Sequence, residues 1–213
     1  MDGAQLVEWV VSMVLPASCP ACGAPGAAPC PDCIAAMRPA PALPPPRGLD
    51  GFVSLLAYDG PGRELLARLK YRNQRDALRW LAASLASSIL RAGLADVDVV
   101  TWAPTSEPRR RERGFDQAEL LARAVSRRLP VPCRPLLVRS PGPAQTGRSV
   151  DERRAIGHVF TARGRTEASV LLIDDVVTTG ATLSAAAVAL RLGGAVRVVA
   201  AAAGRTPARS ALH

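Results

Sequence analysis

The chain has 213 residues, 48% of them hydrophobic, which suits one medium domain with a real core plus a small appendage. A net charge of +9 favours anionic partners such as nucleotides, nucleic acid or phosphorylated metabolites. No stretch approaches the roughly 20 apolar residues that cross a bilayer, which excludes membrane insertion, and 4% aromatic residues weaken any base-stacking mechanism. Lys70 is the only lysine, a bias that base composition alone could produce, so the charge balance carries more weight than arginine identity. Residues 6–15 form an apolar stretch ahead of Pro16-Ala17-Ser18-Cys19. Asp2 and Glu8, the lack of a preceding basic residue and the proline three before Cys19 argue against a lipoprotein leader. A short amphipathic helix packed on the body, and a cytoplasmic location, are expected.

Cys19-Pro20-Ala21-Cys22 and Cys30-Pro31-Asp32-Cys33 are two C-x-x-C pairs in one compact segment. Four thiolates match the tetrahedral preference of Zn2+, and Cys19, Cys22, Cys30 and Cys33 are the expected ligands of a structural zinc with no open position for catalysis. Disulfides are the main rival, which a chain lacking a secretion signal disfavours. A redox C-x-x-C is the other, against which the duplication of the motif argues. Cys133 is left over as a small apolar filler. Pro39, Pro41, Pro44, Pro45 and Pro46 make a semi-rigid linker, and the boundary is drawn there: residues 1–46 as the N-terminal module, residues 47–213 as the main domain.

Residues 52–58 read as a strand, and Gly60-Pro61-Gly62 as a turn into a helix over 63–72 with Leu65, Leu66 and Leu69 on one face. Lys70, Arg72 and Arg75 lie on or after its end, either as cations complementing a helix C-terminus or as a basic rim to a site. Residues 76–91 read as helix and 97–102 as a buried strand delivering Ala103-Pro104-Thr105-Ser106 to one sheet edge. Arg109, Arg110, Arg111 and Arg113 read as a loop before a helix that Asp116 and Glu119 cap and that reaches Arg128. The run is either a solvated charge cluster or a contact for pyrophosphate or nucleic acid. A short strand at 136–138 precedes a long polar loop carrying Arg148, Arg153 and Arg154, with the composition of a lid. Residues 158–160 are expected to resume the sheet, and a last strand falls near 195–203.

The most informative stretch is the apolar run at 170–173 followed by Asp174-Asp175-Val176-Val177-Thr178-Thr179-Gly180-Ala181-Thr182. It predicts a buried parallel strand with both carboxylates where it emerges, a phosphate-sized loop, and a helix from Thr182 to the Gly193-Gly194 stop. Small residues let main-chain N–H groups approach an anion, threonine hydroxyls add donors, and a helix N-terminus adds its positive dipole end. The paired aspartates suit sugar hydroxyls, or a Mg2+ bridging to them. Neither the Rossmann nor the Walker glycine spacing is present.

That motif resembles the phosphoribosyl pyrophosphate (PRPP) site of type I phosphoribosyltransferases. The two C-x-x-C pairs, the proline linker, Leu69-Lys70-Tyr71-Arg72, Arg113-Gly114-Phe115-Asp116-Gln117 and the 145–154 lid, in that order, resemble the ComF/GntX family. The resemblance implies a phosphoribosyltransferase-like parallel sheet flanked by helices behind a four-cysteine zinc module. It implies a PRPP site at residues 174–182, with Mg2+, and pyrophosphate or DNA contacts from Lys70, Arg72, Arg109, Arg111, Arg113, Arg148, Arg153 and Arg154. It further implies handling of internalised single-stranded DNA during natural transformation, with competence helicase-type proteins as partners. An active transferase on an unidentified acceptor and a PRPP-sensing docking protein are the alternatives. Asp116 departs from the family's usual Asn, Ala155 from an Asn after the Arg pair, and Ala103-Pro104-Thr105-Ser106 from a usual Pro-Val-Pro-Leu-His.

Overall fold

The computed structural model describes residues 18–68, 75–140 and 159–207. In chain order they hold α1 (Pro31–Ala36), β1 (Gly51–Ala57), α2 (Gly60–Arg68), α3 (Arg75–Arg91), β2 (Val99–Trp102), α4 (Glu107–Arg113), α5 (Gln117–Ser126), β3 (Leu137–Arg139), β4 (Phe160–Ala162), β5 (Ser169–Val177), α6 (Ala181–Leu192) and β6 (Arg197–Arg205). Four strands pair in parallel in the order β1-β6-β5-β2, with Trp102 opposite Ile173 and Val177 opposite Arg205.

The continuous apolar runs of β5 and β6 follow from helices on both faces. Leu171 and Ile173 point into a layer with Leu81, Leu85 and Ile89 of α3 and Leu121 and Val125 of α5. Val170 and Leu172, one residue out of phase, point into the opposite layer with Leu183, Ala186 and Leu190 of α6 and with Phe160. Leu81, Leu85 and Ile89 repeat at helical spacing and are fully buried, each contributing about 1.5–3 kcal/mol of transfer free energy.

Both sheet edges are covered. Along β1 the proline linker runs antiparallel, with Ala40 N–H donating to Leu55 O at 3.1 Å and Ala57 N–H to Arg38 O at 2.9 Å. Along β2, Val100 N–H donates to Pro132 O at 2.8 Å and Arg134 N–H to Val100 O at 3.0 Å. Neither edge is left as a template for another chain.

Five local expectations are corrected. The arginine run is not a loop but the helix α4: Ser106 occupies its N-cap position, Pro108 lies in its first turn, and Gly114 ends it at φ 78° with its N–H on Arg110 O. Residues 160–162 do not rejoin the main sheet. They pair antiparallel with β3 in a separate two-stranded ribbon, because residues 132–134 already occupy the β2 edge. The strand β5 continues past Ile173 to Val177, so Asp174 and Asp175 lie within it, held by pairing to β6 alone. The helix α2 begins at Gly60 rather than after the Gly-Pro-Gly turn, and α5 ends at Ser126 rather than Arg128. The helix α1 was not expected, and the remaining strands and helices fall within about two residues of expectation. The apolar stretch at 6–15 and the proposed lid lie outside the described residues.

Candidate functional site

Because the sheet is parallel, β2, β5 and β6 end on one edge, and Asp116, Asp174 and Asp175 come together there. Asp98 N–H bonds Ser169 O and Ala103 N–H bonds Ile173 O, so odd-numbered residues of β5 face β2. The pairing with β2 stops at Ile173, which leaves the Asp175 N–H without a strand partner on that side. The Asp174 carboxylate accepts it at 2.9 Å, and the Asp175 carboxylate accepts Val176 N–H at 2.7 Å. Asp174 is buried, and burial first, then the neighbouring charge of Asp175, push its carboxyl well above the usual carboxylate range. A cation at this point would relieve both effects.

Beyond Val177 the chain turns through exposed Thr178 and Thr179 to Gly180 at the N-cap of α6. Gly180 sits at φ 79°, in the left-handed region, and as the N-cap residue it brings no side chain to the helix end. Thr179 Oγ1 accepts Ala181 N–H at 3.3 Å. A Cβ on Gly180 would lie 2.7 Å from Pro46 Cγ, so the end of the proline linker forms one wall of the loop. The linker is fastened by Arg205 at the end of β6, whose Nη1 donates to Leu43 O at 3.1 Å and Nη2 to Pro44 O at 3.0 Å.

The loop after β2 is tied to the same edge. Thr105 N–H donates to Asp116 Oδ2 at 2.8 Å, while Asp116 Oδ1 accepts Ala118 N–H at 3.0 Å and Glu119 N–H at 3.4 Å. Asp116 is thus the expected N-cap of α5. Glu119 does not complete a capping box but pairs with Arg123 at 2.9 Å. Burial raises the Asp116 carboxyl, the three N–H groups pull it down, and Asp175 raises it again, so Asp116, Asp174 and Asp175 share one electrostatic neighbourhood.

The expected arginines divide. Arg111 is exposed on α4 and pairs with Glu107 at 3.5 Å; Arg109 and Arg113 lie in the same helix. Lys70, Arg72, Arg148, Arg153 and Arg154 lie outside the described residues. Sequence reasoning missed a cleft of about 340 Å³ beside β2, into which Arg110, Arg123, Arg139 and Arg163 converge. These residues sit on four separate elements or turns, and no spacing in the chain links them.

The four cysteines do come together. Their Sγ atoms all lie within 4.8 Å of one another, with Cys22 and Cys30 3.7 Å apart. A tetrahedral Zn2+ with Zn–S of about 2.3 Å has sulfur–sulfur edges of about 3.8 Å. All are free thiols. Cys30 N–H points to Cys19 Sγ at 3.4 Å. Burial alone would raise the Cys19 thiol, but main-chain N–H groups of Cys30, Cys22 and Ala21 outweigh it and bring it to about 6. The donor set and its spacing fit a metal of the zinc type.

Fold and site together define a parallel α/β protein, its sheet flanked by helices, with a strand–loop–helix segment carrying Asp174 and Asp175 at the strand ends and a four-cysteine cluster near the N-terminus. The chain is similar to the competence protein ComFC of Bacillus subtilis (strain 168), 30% identical over 136 residues, which are 63% of this chain and 55% of that protein. It therefore spans about half the length of the curated relative it matches. The ComF resemblance read from the motifs is borne out by this relative. No family model matches. Among solved structures, an allosteric regulatory enzyme of purine biosynthesis aligns with a TM-score of 0.42 at 18% identity, over 59% of this chain and 25% of that one. A purine phosphoribosyltransferase from Pyrococcus horikoshii Ot3 aligns at 0.40 and 16% identity, over 64% and 77%.

Proposed function

We propose that this is a ComF-like protein whose phosphoribosyltransferase-like domain, residues 47–213, binds PRPP or a related phosphorylated ligand and acts on internalised single-stranded DNA in the cytoplasm during natural transformation. The observation that carries the reading is the placement of Asp174 and Asp175 near the end of β5, two residues before a loop whose Thr178, Thr179 and Gly180 lead into the first turn of α6. The carboxylates hold ribose hydroxyls, directly or through Mg2+, and residues 178–182 surround the 5′-phosphate with hydroxyls and main-chain N–H groups. Arg109, Arg111 and Arg113 on α4, with Lys70, Arg72, Arg148, Arg153 and Arg154, supply contacts to pyrophosphate or to the DNA backbone. Residues 1–46 form a module in which Cys19, Cys22, Cys30 and Cys33 hold a structural Zn2+. It offers a surface to competence helicase-type partners. No helix among the described residues is long and apolar enough to cross a membrane.

A second reading, pentosyl transfer, is favoured by the three carboxyl groups gathered at Asp116, Asp174 and Asp175, whose ionised forms a divalent cation with bound PRPP would stabilise. Mg2+ would then stabilise the departing pyrophosphate, and the chain would orient the ribose for attack at C1 by an acceptor still to be identified. In a third, the site only senses PRPP and the protein docks.

The test is a calorimetric titration of zinc-loaded protein with PRPP and Mg2+, repeated on the folded Asp174→Asn, Asp175→Asn double variant. Binding lost in the variant is expected; a folded wild type that binds no PRPP would remove the reading. Pyrophosphate release on addition of candidate acceptors then separates transfer from sensing.

A further inference from the structure

The cleft beside β2 shares no lining residue with the β5–α6 loop. It is bounded by α4, α5, the loop after β2 and the β3–β4 ribbon, and it encloses about 340 Å³. Four arginines line it: Arg110 from α4, Arg123 from α5, Arg139 from β3 and Arg163 just past β4, whose Nε donates to Leu137 O at 3.5 Å. Three carboxylates also line it, but each is already engaged. Asp116 accepts three main-chain N–H groups, Glu119 pairs with Arg123 at 2.9 Å, and Glu107 turns to Arg111 at 3.5 Å. Among the described residues, Arg110, Arg139 and Arg163 therefore face the cleft without a carboxylate partner.

Two of the guanidiniums are held in orientation. Arg139 lies 5.2 Å from the Phe160 ring centroid and donates to Pro104 O at 3.2 Å; Arg123 lies 5.5 Å from the Trp102 centroid. A ring contact and one main-chain acceptor restrain the Arg139 guanidinium without engaging all of its N–H groups, which suits recognition of a tetrahedral oxyanion, whereas the Nε and Nη2 of Arg123 are taken by Glu119. Trp102 is only 6% exposed and covered by Arg123, so the cleft offers no aromatic face to a base.

We propose that this cleft is a second anion site, in which Arg110, Arg139 and Arg163 seat a phosphoryl group borne by a nucleoside monophosphate or by a DNA backbone, without reading the base. It rests on the cleft alone and does not require the PRPP reading of the β5–α6 loop.

The test uses the full, zinc-loaded chain. AMP, adenosine and an unphosphorylated dT12 oligonucleotide are titrated into wild type and three variants whose melting confirms folding. These are Arg110→Gln/Arg163→Gln at the cleft, Arg68→Gln/Arg79→Gln with the same charge removed elsewhere, and Thr178→Ala/Thr179→Ala in the β5–α6 loop. A tenfold or greater loss of AMP affinity confined to the cleft variant, with adenosine inert throughout, establishes a free-nucleotide site. The same loss seen only for dT12, and absent from the charge-matched variant, assigns the cleft to the DNA backbone. If the cleft variant binds both probes as the charge-matched one does, or if AMP binding follows the loop variant instead, the proposal is overturned.

Discussion

Substituting Gly180 by alanine probes how firmly the proline linker is seated on the β5–α6 loop. Residue 180 occupies φ 79°, where an L side chain costs roughly 1–2 kcal/mol. The added Cβ would stand 2.7 Å from Pro46 Cγ and 2.8 Å from Pro46 Cβ, an overlap costing about 1–3 kcal/mol to relieve. Stiffening of the unfolded chain returns about 0.4–1 kcal/mol, so Gly180→Ala should destabilise by roughly 1–4 kcal/mol. Urea denaturation of zinc-loaded protein measures this, and a double-mutant cycle with Pro46→Gly separates the two causes. In the Pro46→Gly background the overlap disappears and only the backbone part remains, giving a coupling of about 1–3 kcal/mol. A Gly180→Ala cost below about 0.5 kcal/mol, or a coupling of zero within error, would refute the wall that Pro46 is said to form.

The four-cysteine assignment predicts about one Zn2+ per chain, lost on replacing Cys22 by Ser together with stability of the N-terminal module; a metal-free wild type with the same melting curve would contradict it. Asp174→Asn keeps an oxygen for the Asp175 N–H but removes a carboxyl whose folded-state value lies well above 3.8. Such a group takes up a proton on folding, so wild type loses stability as pH rises above the ordinary carboxylate value. The Asn variant's advantage in ligand-free urea melts should therefore be absent near pH 3.8 and grow toward neutrality, whereas a pH-independent difference would sink the linkage.

The elements legible in the sequence are those whose residues answer to local rules. The apolar run at 170–173, the leucines of α3 and the Asp116 cap each reveal strand or helix from a few neighbours. The helix α4 was hidden because its arginines carry no apolar stripe. Its start and stop signals, Ser106, Pro108 and Gly114, were nonetheless present. The extension of β5 to Val177 depends on β6 alone continuing beside it, which is tertiary information. Asp116 shows a substitution that only the structure explains. A carboxylate accepts from α5 on one oxygen and from Thr105 N–H on the other, whereas the asparagine usual in ComF proteins would turn an amide donor toward Thr105.

The linker illustrates why the rest was out of reach. A proline run contributes carbonyls but few N–H groups, so its backbone acceptors need donors from elsewhere. Arg205, far along the chain, supplies two of them, to Leu43 and Pro44, while its guanidinium lies 5.1 Å from the Phe52 ring. Only 8% of it is exposed, its Nε is buried without a partner, and burial pulls its pKa down. A buried guanidinium is costly unless its hydrogen bonds are fulfilled, so its position has to follow from what it holds. What it holds is the segment that runs from the four-cysteine module to Pro46, against Gly180. The segment that reads in the sequence as a spacer between two modules is, by this accounting, part of the wall of the β5–α6 loop.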